Sequence, residues 1–444
     1  MAESTIAAIS TALGEGGIAV VRVSGPDAVS ISTKILKRKD FPVAGKLYLT
    51  SLINSQGVTL DRVLAVNFKA PHSYTGEEIF EIHTHGGIFV ARTCLELLLQ
   101  NGATLAGPGE FTRRAFTNGR INLSQAEGVL GIIKARSLEA LKASARTLTG
   151  DLSRSIQEIH DEILNLQASI EINLDFPEGE IFDAGFDSLE EIKKIIAALE
   201  KILSRCETGL ILNEGINVIL AGRPNVGKSS LLNALTEKNR AIVTEIPGTT
   251  RDIISDTILI NGLPVKLSDT AGLRSTENII EAEGVKLARQ ALKEGDLCLF
   301  VLDAVQEISS EEIHEINLLG DKALIVFNKC DLNLSAKIDS PLEKIFVSAK
   351  TGQGLEDLKA AIYNKAIKTQ TSGEGLTASI TQIENLKESL TLIREAQRAL
   401  LNDTGSDVAA DMLSAARVTL LNVLGSNAGD ELLDYMFGRF CVGK

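Results

Sequence analysis

The stretch NVILAGRPNVGKSSLLNAL, residues 217–235, joins an apolar run, a glycine-containing loop and an amphipathic segment. The run Asn217–Ala221 has the composition of a buried strand, and Ser230–Leu235 is predicted to be a helix. Between them, Gly222–Ser229 fits the pattern GxxxxGK[ST], in which backbone N–H groups close on phosphates at a helix N-terminus. The sequence therefore predicts a P-loop in which Lys228 contacts the β- and γ-phosphates and Ser229 binds Mg²⁺.

Four further motifs follow in the order that a GTPase requires. They are GTTRD at 248–252, DTAG at 269–272, NKCD at 328–331 and SAK at 348–350. A carboxylate at Asp331 can accept N1–H and the exocyclic amine of guanine, which adenine cannot satisfy. Thr250 is the candidate for a second Mg²⁺ ligand. The predicted GTP-binding residues are Asn225, Val226, Gly227, Lys228, Ser229, Ser230, Thr244, Glu245, Ile246, Pro247, Gly248, Thr249, Thr250, Asp269, Thr270, Ala271, Gly272, Asn328, Lys329, Asp331, Ser348, Ala349 and Lys350.

The residue that directly follows the DTAG motif is Leu273, where Ras-like proteins carry a glutamine that orients water. Another group must then position the nucleophile, and Glu281 lies in the acidic stretch that follows. Asn225, inside the P-loop, can offer an oxygen to a monovalent cation near the phosphates. From the residues alone, Glu281 is as well explained as a solvated carboxylate at a helix start, and Asn225 as a plain loop residue.

The rest of the chain divides by its pattern of apolar residues. Residues 1–118 have the mixed strand and helix signals of an α+β domain, 119–213 and 371–444 are helical, and 214–370 alternate strands with helices. Within the helical part, Leu123–Leu148 has apolar residues at three- and four-residue spacing, which is typical of helices. The predicted fold class is multidomain α/β plus all-α, with a Ras-like P-loop G domain inserted into a helical domain.

Composition narrows the possible functions. The 444 residues carry a net charge of −13, so the chain is not a general nucleic-acid-binding protein. The five cysteines are scattered without metal-ligand spacing, and the first residues lack the pattern of a secretory signal, so we expect a cytoplasmic protein. No apolar run is long enough to span a bilayer.

Over nearly its full length the chain resembles the MnmE (TrmE) family of tRNA-modification GTPases. The matching segments, besides the P-loop, include SYTGE at 73–77, HGG at 85–87, PGEFT at 108–112, DFP at 175–177 and the C-terminal CVGK at 441–444. One departure is TALG at 11–14, in place of a proline-rich turn.

The resemblance implies a homodimer joined through N-terminal folate-binding domains. It implies 5-formyltetrahydrofolate or a related one-carbon folate as cofactor, with Arg22, Glu81, Arg120 and Lys444 as its contacts. It also implies K⁺ bound by Asn225, Thr244, Ile246 and Thr249, G-domain pairing that drives GTP hydrolysis, and Glu281 as the residue that positions water. The expected partners are tRNA and the FAD-containing protein MnmG, in a heterotetramer or larger complex. Together they add a carboxymethylaminomethyl or aminomethyl group at C5 of the wobble uridine.

The sequence does not decide the roles of several other polar residues. Cys441, beside the folate lysine, could take part in one-carbon chemistry or have no such role. His83 and His85 form an HxH pair that we interpret as fold or folate-pocket residues, since no third metal ligand is in view. We take Arg113, Arg114 and Arg120 as the densest basic cluster outside the GTP site, either a solvated face or a contact for tRNA or folate glutamates.

Two other classes of GTPase are alternatives to this prediction, and each would carry a distinct sequence feature. A ribosome-assembly GTPase would carry a basic RNA-binding domain, whereas this chain is acidic and has no GXXG loop in a KH setting. A membrane-remodelling GTPase would need a polybasic or amphipathic membrane face, and none stands out.

Overall fold

Alternating apolar residues near the N-terminus build a six-stranded sheet in the described residues of the computed structural model. That structure describes residues 4–175, 187–237, 257–269, 295–332, 342–367, 375–401, 405–426 and 428–444. The strand order is β3-β4-β5-β2-β1-β6. The strands are β1 Ile6–Ile9, β2 Gly16–Ser24, β3 Tyr48–Ile53, β4 Thr59–Phe68, β5 Ile79–Gly86 and β6 Thr104–Leu105. Neighbours are antiparallel except β1 and β6, which are parallel.

One face of this sheet forms the hydrophobic core of the N-terminal part. Val21 and Val23 of β2 and Phe80 and Ile82 of β5 are fully buried there, with helices α1 (Ala28–Lys34) and α2 (Ile88–Gln100) contributing to the same cluster. Because side chains alternate along a strand, Arg22 and its cross-strand partner Glu81 lie on the opposite face.

The C-terminal segment belongs to the same unit as the N-terminal sheet. Contacts divide the described residues into a first unit, which holds those of 4–126 and 418–444, and a second unit, which holds those between 127 and 417. In the first unit, helix α3 (Glu110–Thr117) packs on the last helix, and Phe116 and Phe437 lie 6.4 Å apart between ring centroids. A bridge between Pro108 and Val442 then joins the C-terminal tail to the residues before α3.

The helical region begins with α4 (Leu123–Lys134), α5 (Leu138–Leu148), α6 (Asp151–Asp175) and α7 (Ser188–Glu214). The helical pattern over 123–148 is divided between α4 and α5, because Ser137 adopts an extended conformation and caps α5 by accepting a hydrogen bond from the Ala140 N–H.

A buried polar cluster joins the segment around Thr377, which follows the second sheet in the chain, to helices α5 and α7. Thr377 contacts the hydroxyls of Ser144 and Thr147 on α5 and the side chain of Asn213 on α7. Gly209 lets this segment approach, since a Cβ there would lie 2.0 Å from the carbonyl oxygen of Leu376. Residues far apart in sequence therefore meet in one helical layer.

The second sheet is the one predicted from the P-loop. Its order is β12-β11-β10-β7-β9-β8, all parallel except the β8–β9 pair. Its strands are β7 Ile216–Ala221, β8 Thr257–Ile260, β9 Leu263–Asp269, β10 Leu297–Asp303, β11 Ala323–Asn328 and β12 Lys344–Phe346. The described helices that follow are α8 (Lys228–Glu237), α9 (Ser310–Leu319), α10 (Leu355–Ala366), α11 (Ile380–Leu401), α12 (Ser406–Asn422) and α13 (Asp430–Gly438). The predicted fold class is confirmed.

This topology positions the candidate site. Strand β7 lies between β9 and β10, and β10 pairs with β11, so their carboxyl ends meet along one edge. Asp303 is directly opposite Asn328, and Asp269 is opposite Leu220. In parallel α/β sheets ligands bind at this edge, and the polar residues predicted from the motifs follow the ends of these strands.

Candidate functional site

The P-loop has a backbone that only certain residues allow. Gly222, Asn225 and Gly227 all have positive φ, at 130°, 67° and 96°. A Cβ at Gly222 would lie 2.2 Å from the carbonyl oxygen of Val301, and one at Gly227 would lie 2.3 Å from Nδ2 of Asn328. Asparagine is among the residues that adopt the left-handed conformation at low cost. The loop therefore packs closely on the ends of β10 and β11.

Lys228 begins helix α8 and folds back over the loop. Its Nζ donates to the carbonyl oxygens of Gly222 at 2.7 Å and Arg223 at 2.8 Å, and the residue is buried. Ser229 and Ser230 follow in the first turn and are exposed. The first N–H groups of the helix and the Lys228 ammonium thus face the same loop, an arrangement that suits phosphate oxygens.

Asn328 joins the P-loop to the predicted base loop. Its Nδ2 donates to the carbonyl oxygen of Val226 at 2.9 Å, and its Oδ1 accepts from the Ala349 N–H at 3.0 Å. The residue is 2% exposed. A buried side chain that uses both its donor and its acceptor fixes the spacing of the two loops. The phosphate and base ends of a nucleotide site are thereby set relative to each other.

Lys329 makes the second link between these loops. Its Nζ donates to the carbonyl oxygen of Asn225 at 3.1 Å and pairs with the carboxylate of Asp303 at 2.6 Å. Asp303 is buried at the end of β10, and its other oxygen accepts from the Val305 N–H. Sequence reasoning missed Asp303, because an acidic residue after a buried strand matches none of the motifs.

Asp331 lies on the exposed side of the same loop, where the base is expected. A hydrogen bond from Ser348 is the largest influence that lowers the pKa of the Asp331 carboxyl, and the charge of Lys350 acts in the same direction. The carboxylate therefore stays ionised at neutral pH. An ionised Asp331 can accept the two N–H groups of guanine.

Several predicted residues fall outside the part of the chain that the structure describes. They are Thr244, Glu245, Ile246, Pro247, Gly248, Thr249, Thr250, Thr270, Ala271, Gly272 and Glu281. Asp269 is placed by its backbone at the end of β9. Their roles as ligands of phosphate, Mg²⁺ or K⁺, and that of Glu281 in positioning water, remain predictions.

The predicted folate contacts centre on Arg22 in the N-terminal unit. Its Nε donates to Glu81 at 2.8 Å, and its guanidinium carbon lies 5.7 Å from the Tyr74 ring centroid and 5.6 Å from that of Phe111. Burial by itself would raise the pKa of Glu81, but the hydrogen bond to His83 and the charge and hydrogen bond of Arg22 outweigh it, so this pKa is lowered. A charged, aromatic-lined position results on the sheet face opposite helices α1 and α2.

The C-terminus approaches the same position. The Phe111 N–H donates to the backbone oxygen of Lys444 at 3.2 Å, so Lys444 lies beside the first turn of α3. Gly443 has φ 95°, and a Cβ there would lie 2.3 Å from the carbonyl oxygen of Ile9. Arg120 is exposed, and its aliphatic stem lies beside Gly76.

The cysteines differ sharply in environment. Burial raises the pKa of the Cys94, Cys206 and Cys298 thiols to about 12, so these are unreactive core residues. Cys441 is exposed, and its carbonyl oxygen accepts from the N–H groups of Gly109 and Lys444. Its backbone thus helps to fix the tail, which leaves the role of its thiol open.

His83 and His85, whose roles the sequence does not decide, form ion pairs within the N-terminal unit. His83 pairs with Glu81, and His85 pairs with Asp61 at 2.6 Å. The described residues contain no group of three His, Cys, Asp or Glu side chains that could hold a metal ion.

The basic cluster at 113–120 is largely neutralised within the unit. Arg114 is buried and pairs with Glu77 and Glu110, and Arg113 pairs with Asp430 and Asp434. The solvated-face interpretation is therefore wrong for Arg114. Sequence could not show these pairs, because Glu77 lies 37 residues from Arg114 and Asp434 lies 321 residues from Arg113.

A P-loop and an Asn-Lys-x-Asp base loop, joined at the carboxyl edge of a parallel sheet, define a P-loop GTPase. Comparison with protein families agrees with this class and also indicates the family. A sequence profile described as "GTP-binding protein TrmE N-terminus" matches residues 5–120, and one described as "MnmE helical domain" matches residues 123–441.

Relatives cover the whole chain. The tRNA modification GTPase MnmE of Carboxydothermus hydrogenoformans is 42% identical over 463 residues, covering 100% of both chains. That of Symbiobacterium thermophilum is 41% identical over 461 residues, again over 100% of both. The chain belongs to the MnmE family of tRNA modification GTPases, and it is a GTP hydrolase.

Solved structures include the cytosolic domain of the T. maritima FeoB iron transporter in a GDP form. It is 22% identical to this chain and covers 47% of it and 96% of its own length, with a TM-score of 0.24. No conclusion rests on that similarity. Among the described residues, no helix combines the length and apolar composition that a membrane crossing needs.

Proposed function

We propose that this chain is a potassium-activated GTPase that acts with the flavoprotein MnmG in the cytoplasm. The two proteins would form a heterotetramer or larger complex that adds a carboxymethylaminomethyl or aminomethyl group at C5 of the wobble uridine, position 34, of certain tRNAs. The observation that carries the proposal is full-length similarity to relatives named tRNA modification GTPase MnmE. The proposed domains are 1–118 for folate and dimerisation, 214–370 for GTP, and 119–213 with 371–444 for the helical domain.

The test of this function is chemical analysis of tRNA. A strain lacking the gene should lose the modified nucleoside at position 34, as measured by mass spectrometry of digested tRNA, and the intact gene should restore it. Co-purification with the flavoprotein partner should accompany restoration. Unchanged nucleosides in the deletion strain would refute the tRNA function and leave the GTPase assignment intact.

The P-loop geometry supports direct roles for Lys228 and Ser229 in GTP hydrolysis. Lys228 already uses its ammonium to bind two loop carbonyls, which phosphate oxygens can replace when GTP binds. Bound Mg²⁺, on Ser229 and Thr250, would neutralise phosphate charge. Lys228→Ala should lower kcat/KM for GTP by at least about 100-fold, because a charge aimed at the transferring phosphoryl group is lost.

The cation hypothesis rests on the conformation of Asn225. Its backbone is in the left-handed region, its backbone carbonyl accepts from Lys329, and its side-chain oxygen has no hydrogen-bond partner among the residues that the structure describes. We propose K⁺ there, with Thr244, Ile246 and Thr249 as further ligands and pairing of two G domains as the result. GTP turnover should be several-fold faster in K⁺ than in Na⁺ at equal ionic strength. Equal rates would reject the hypothesis.

Glu281 is the proposed residue that positions the attacking water, since Leu273 has no polar group to do so. Glu281→Ala should lower kcat by about 100-fold or more while the affinity for GTP is retained. The exposed-carboxylate interpretation predicts no such change. Glu283→Ala, two residues away, provides the matched control.

The folate proposal assigns Arg22, Glu81, Arg120 and Lys444 to 5-formyltetrahydrofolate or a related one-carbon folate. A pterin ring offers adjacent N–H groups that a carboxylate such as Glu81 can accept, and the folate glutamate carries negative charge that suits arginine and lysine. The aromatic rings beside Arg22 suit a flat ligand. Arg22→Ala should abolish folate binding in calorimetry, whereas Arg62→Ala, an exposed arginine on β4, should not.

The homodimer proposal is supported by the open face of the N-terminal sheet. Ile18 and Leu49, opposite the face that α1 and α2 cover, are 58% and 59% exposed, and Leu47, just before β3, is 50% exposed. Exposed apolar groups of this size are typical of protein interfaces. Leu49→Asp should shift the chain toward monomer in sedimentation experiments. Leu164→Asp, on an exposed position of helix α6, is the control.

A further inference from the structure

The sequence around the end of helix α1 is the most basic part of an acidic chain. Residues 34–46 hold five of the 45 Lys and Arg residues and one of the 58 acidic residues, so this segment carries +4 while the whole chain carries −13. The five cations are Lys34, Lys37, Arg38, Lys39 and Lys46, which we call the basic patch. It is denser than the cluster at 113–120, and our sequence analysis missed it.

The fold holds the segment that carries these five residues against the end of α1 and against β3. Arg38 and Lys46 both contact the ring of Tyr48, at 4.3 Å and 5.5 Å from its centroid. The ammonium group of Lys39 donates to the carbonyl oxygens of Thr33 and Lys34 at the end of α1. The Lys37 N–H is bonded to the Ser51 carbonyl of β3. The helix end, the loop and β3 therefore lie together, with the five basic residues exposed along them.

The charges of the basic patch are not neutralised by the protein. All five residues are exposed, and within the described part of the chain none of them forms an ion pair. Asp40 is the acidic residue within the segment, and its contact with Arg38 is through its backbone carbonyl. By contrast, Arg113 and Arg114 are each paired twice. Five exposed cations without an ion-pair partner among the described residues are thus grouped within the 13 residues 34–46.

The patch is also partly preorganised. Stacking of the Arg38 guanidinium on the buried ring of Tyr48, with Phe41 5.7 Å away, restricts the side chain before any ligand arrives. A restricted guanidinium loses less entropy on binding than a free one. Arginine and lysine on a rigid surface are the groups that contact nucleic-acid phosphates and so position a nucleic acid.

We propose that the basic patch binds the phosphate backbone of tRNA. This inference rests on the proposed function, which makes tRNA the anionic macromolecule that the protein encounters. An acidic chain repels RNA over most of its surface, so one uncompensated basic region would orient tRNA toward the N-terminal unit. Contacts of this kind are made to phosphates, so we expect binding to depend on salt and little on tRNA sequence.

The test removes three charges and keeps Lys39, which caps the helix. The triple variant Lys37→Ala, Arg38→Ala, Lys46→Ala is compared with a control triple, Lys201→Ala, Lys266→Ala, Arg398→Ala, which loses the same charge from exposed positions elsewhere. Binding of a fluorescent tRNA transcript to the full chain is measured by anisotropy over a range of KCl concentrations. GTP turnover without tRNA confirms that both variants are folded.

The patch variant should bind tRNA at least about tenfold more weakly, and the slope of log affinity against log salt should fall by about 2 to 3, since each lost phosphate contact contributes about 0.7 to 0.9. The control should keep both values. Equal weakening in the two triples, or none in either, would overturn the proposal while leaving the GTPase and its tRNA function in place. Loss of binding to anionic vesicles or acidic proteins, with tRNA binding unchanged, would also overturn it.

Discussion

At the scale of single residues, Asp303 has the clearest role that no motif predicts. Its buried carboxylate holds Lys329, and Lys329 holds the carbonyl of the P-loop residue Asn225. We expect Asp303→Asn to raise the Kd for GTP by about five- to tenfold, since one charge-assisted hydrogen bond to a partly exposed lysine is weakened.

Equilibrium binding of a fluorescent GTP analogue measures this effect. Maximal turnover at saturating GTP should fall much less than affinity, because Asp303 contacts Lys329 and not the phosphates. Glu307→Gln, an exposed acidic residue nearby, is the control. An unchanged Kd in Asp303→Asn would show that the ion pair does not position the base loop.

The lowered pKa of Glu81 predicts how the free energy of unfolding depends on pH. Its pKa is lowered in the folded chain, so its ionised form stabilises the fold above the pKa of an unfolded glutamate, and this stabilisation is lost as the pH falls through the folded-state value. The difference in free energy of unfolding between wild type and Glu81→Gln should therefore be largest near neutral pH and shrink in acid. Urea unfolding at pH 7 and at pH 3 to 4 measures it. A difference independent of pH would contradict the assignment.

At the scale of elements, the C-terminal tail is fixed by the fit of one glycine. Gly443 has positive φ and no room for a Cβ beside Ile9. Gly443→Ala should displace Lys444 from the first turn of α3 and weaken folate binding by at least about tenfold, in keeping with the loss of a charged contact. Calorimetry with 5-formyltetrahydrofolate measures this. Gly429→Ala, where a Cβ meets nothing within 4 Å, should bind normally.

The elements that sequence predicts best are those in which one local signal decides the structure. The P-loop follows from a strand, two glycines and a helix that are contiguous, and the structure has β7 and α8 on either side of it. The break at Ser137 was missed, although a serine before Leu138 and Glu139 is a capping signal. The neighbours of Arg114 and Asp303 could not be predicted, because each partner comes from a separate segment of the fold.

At the scale of the whole molecule, GTP hydrolysis and folate binding are assigned to separate units. Lys228→Ala should therefore lose GTP turnover and wobble-uridine modification in a reconstituted system, while its folate affinity stays within about twofold of wild type. Folate calorimetry and nucleoside analysis of the same preparation measure both. Modification at the wild-type rate by this variant would separate GTP hydrolysis from the tRNA reaction.

Selective GTP binding depends on a phosphate loop and a guanine-accepting loop held together by Asn328 and Lys329. The most direct measurement is competition between nucleotides: GTP binding and turnover by the purified chain in a large excess of ATP. We predict that ATP neither displaces GTP nor is hydrolysed, because adenine offers Asp331 no pair of N–H donors. Comparable affinity for ATP, or hydrolysis of neither nucleotide, would contradict the account.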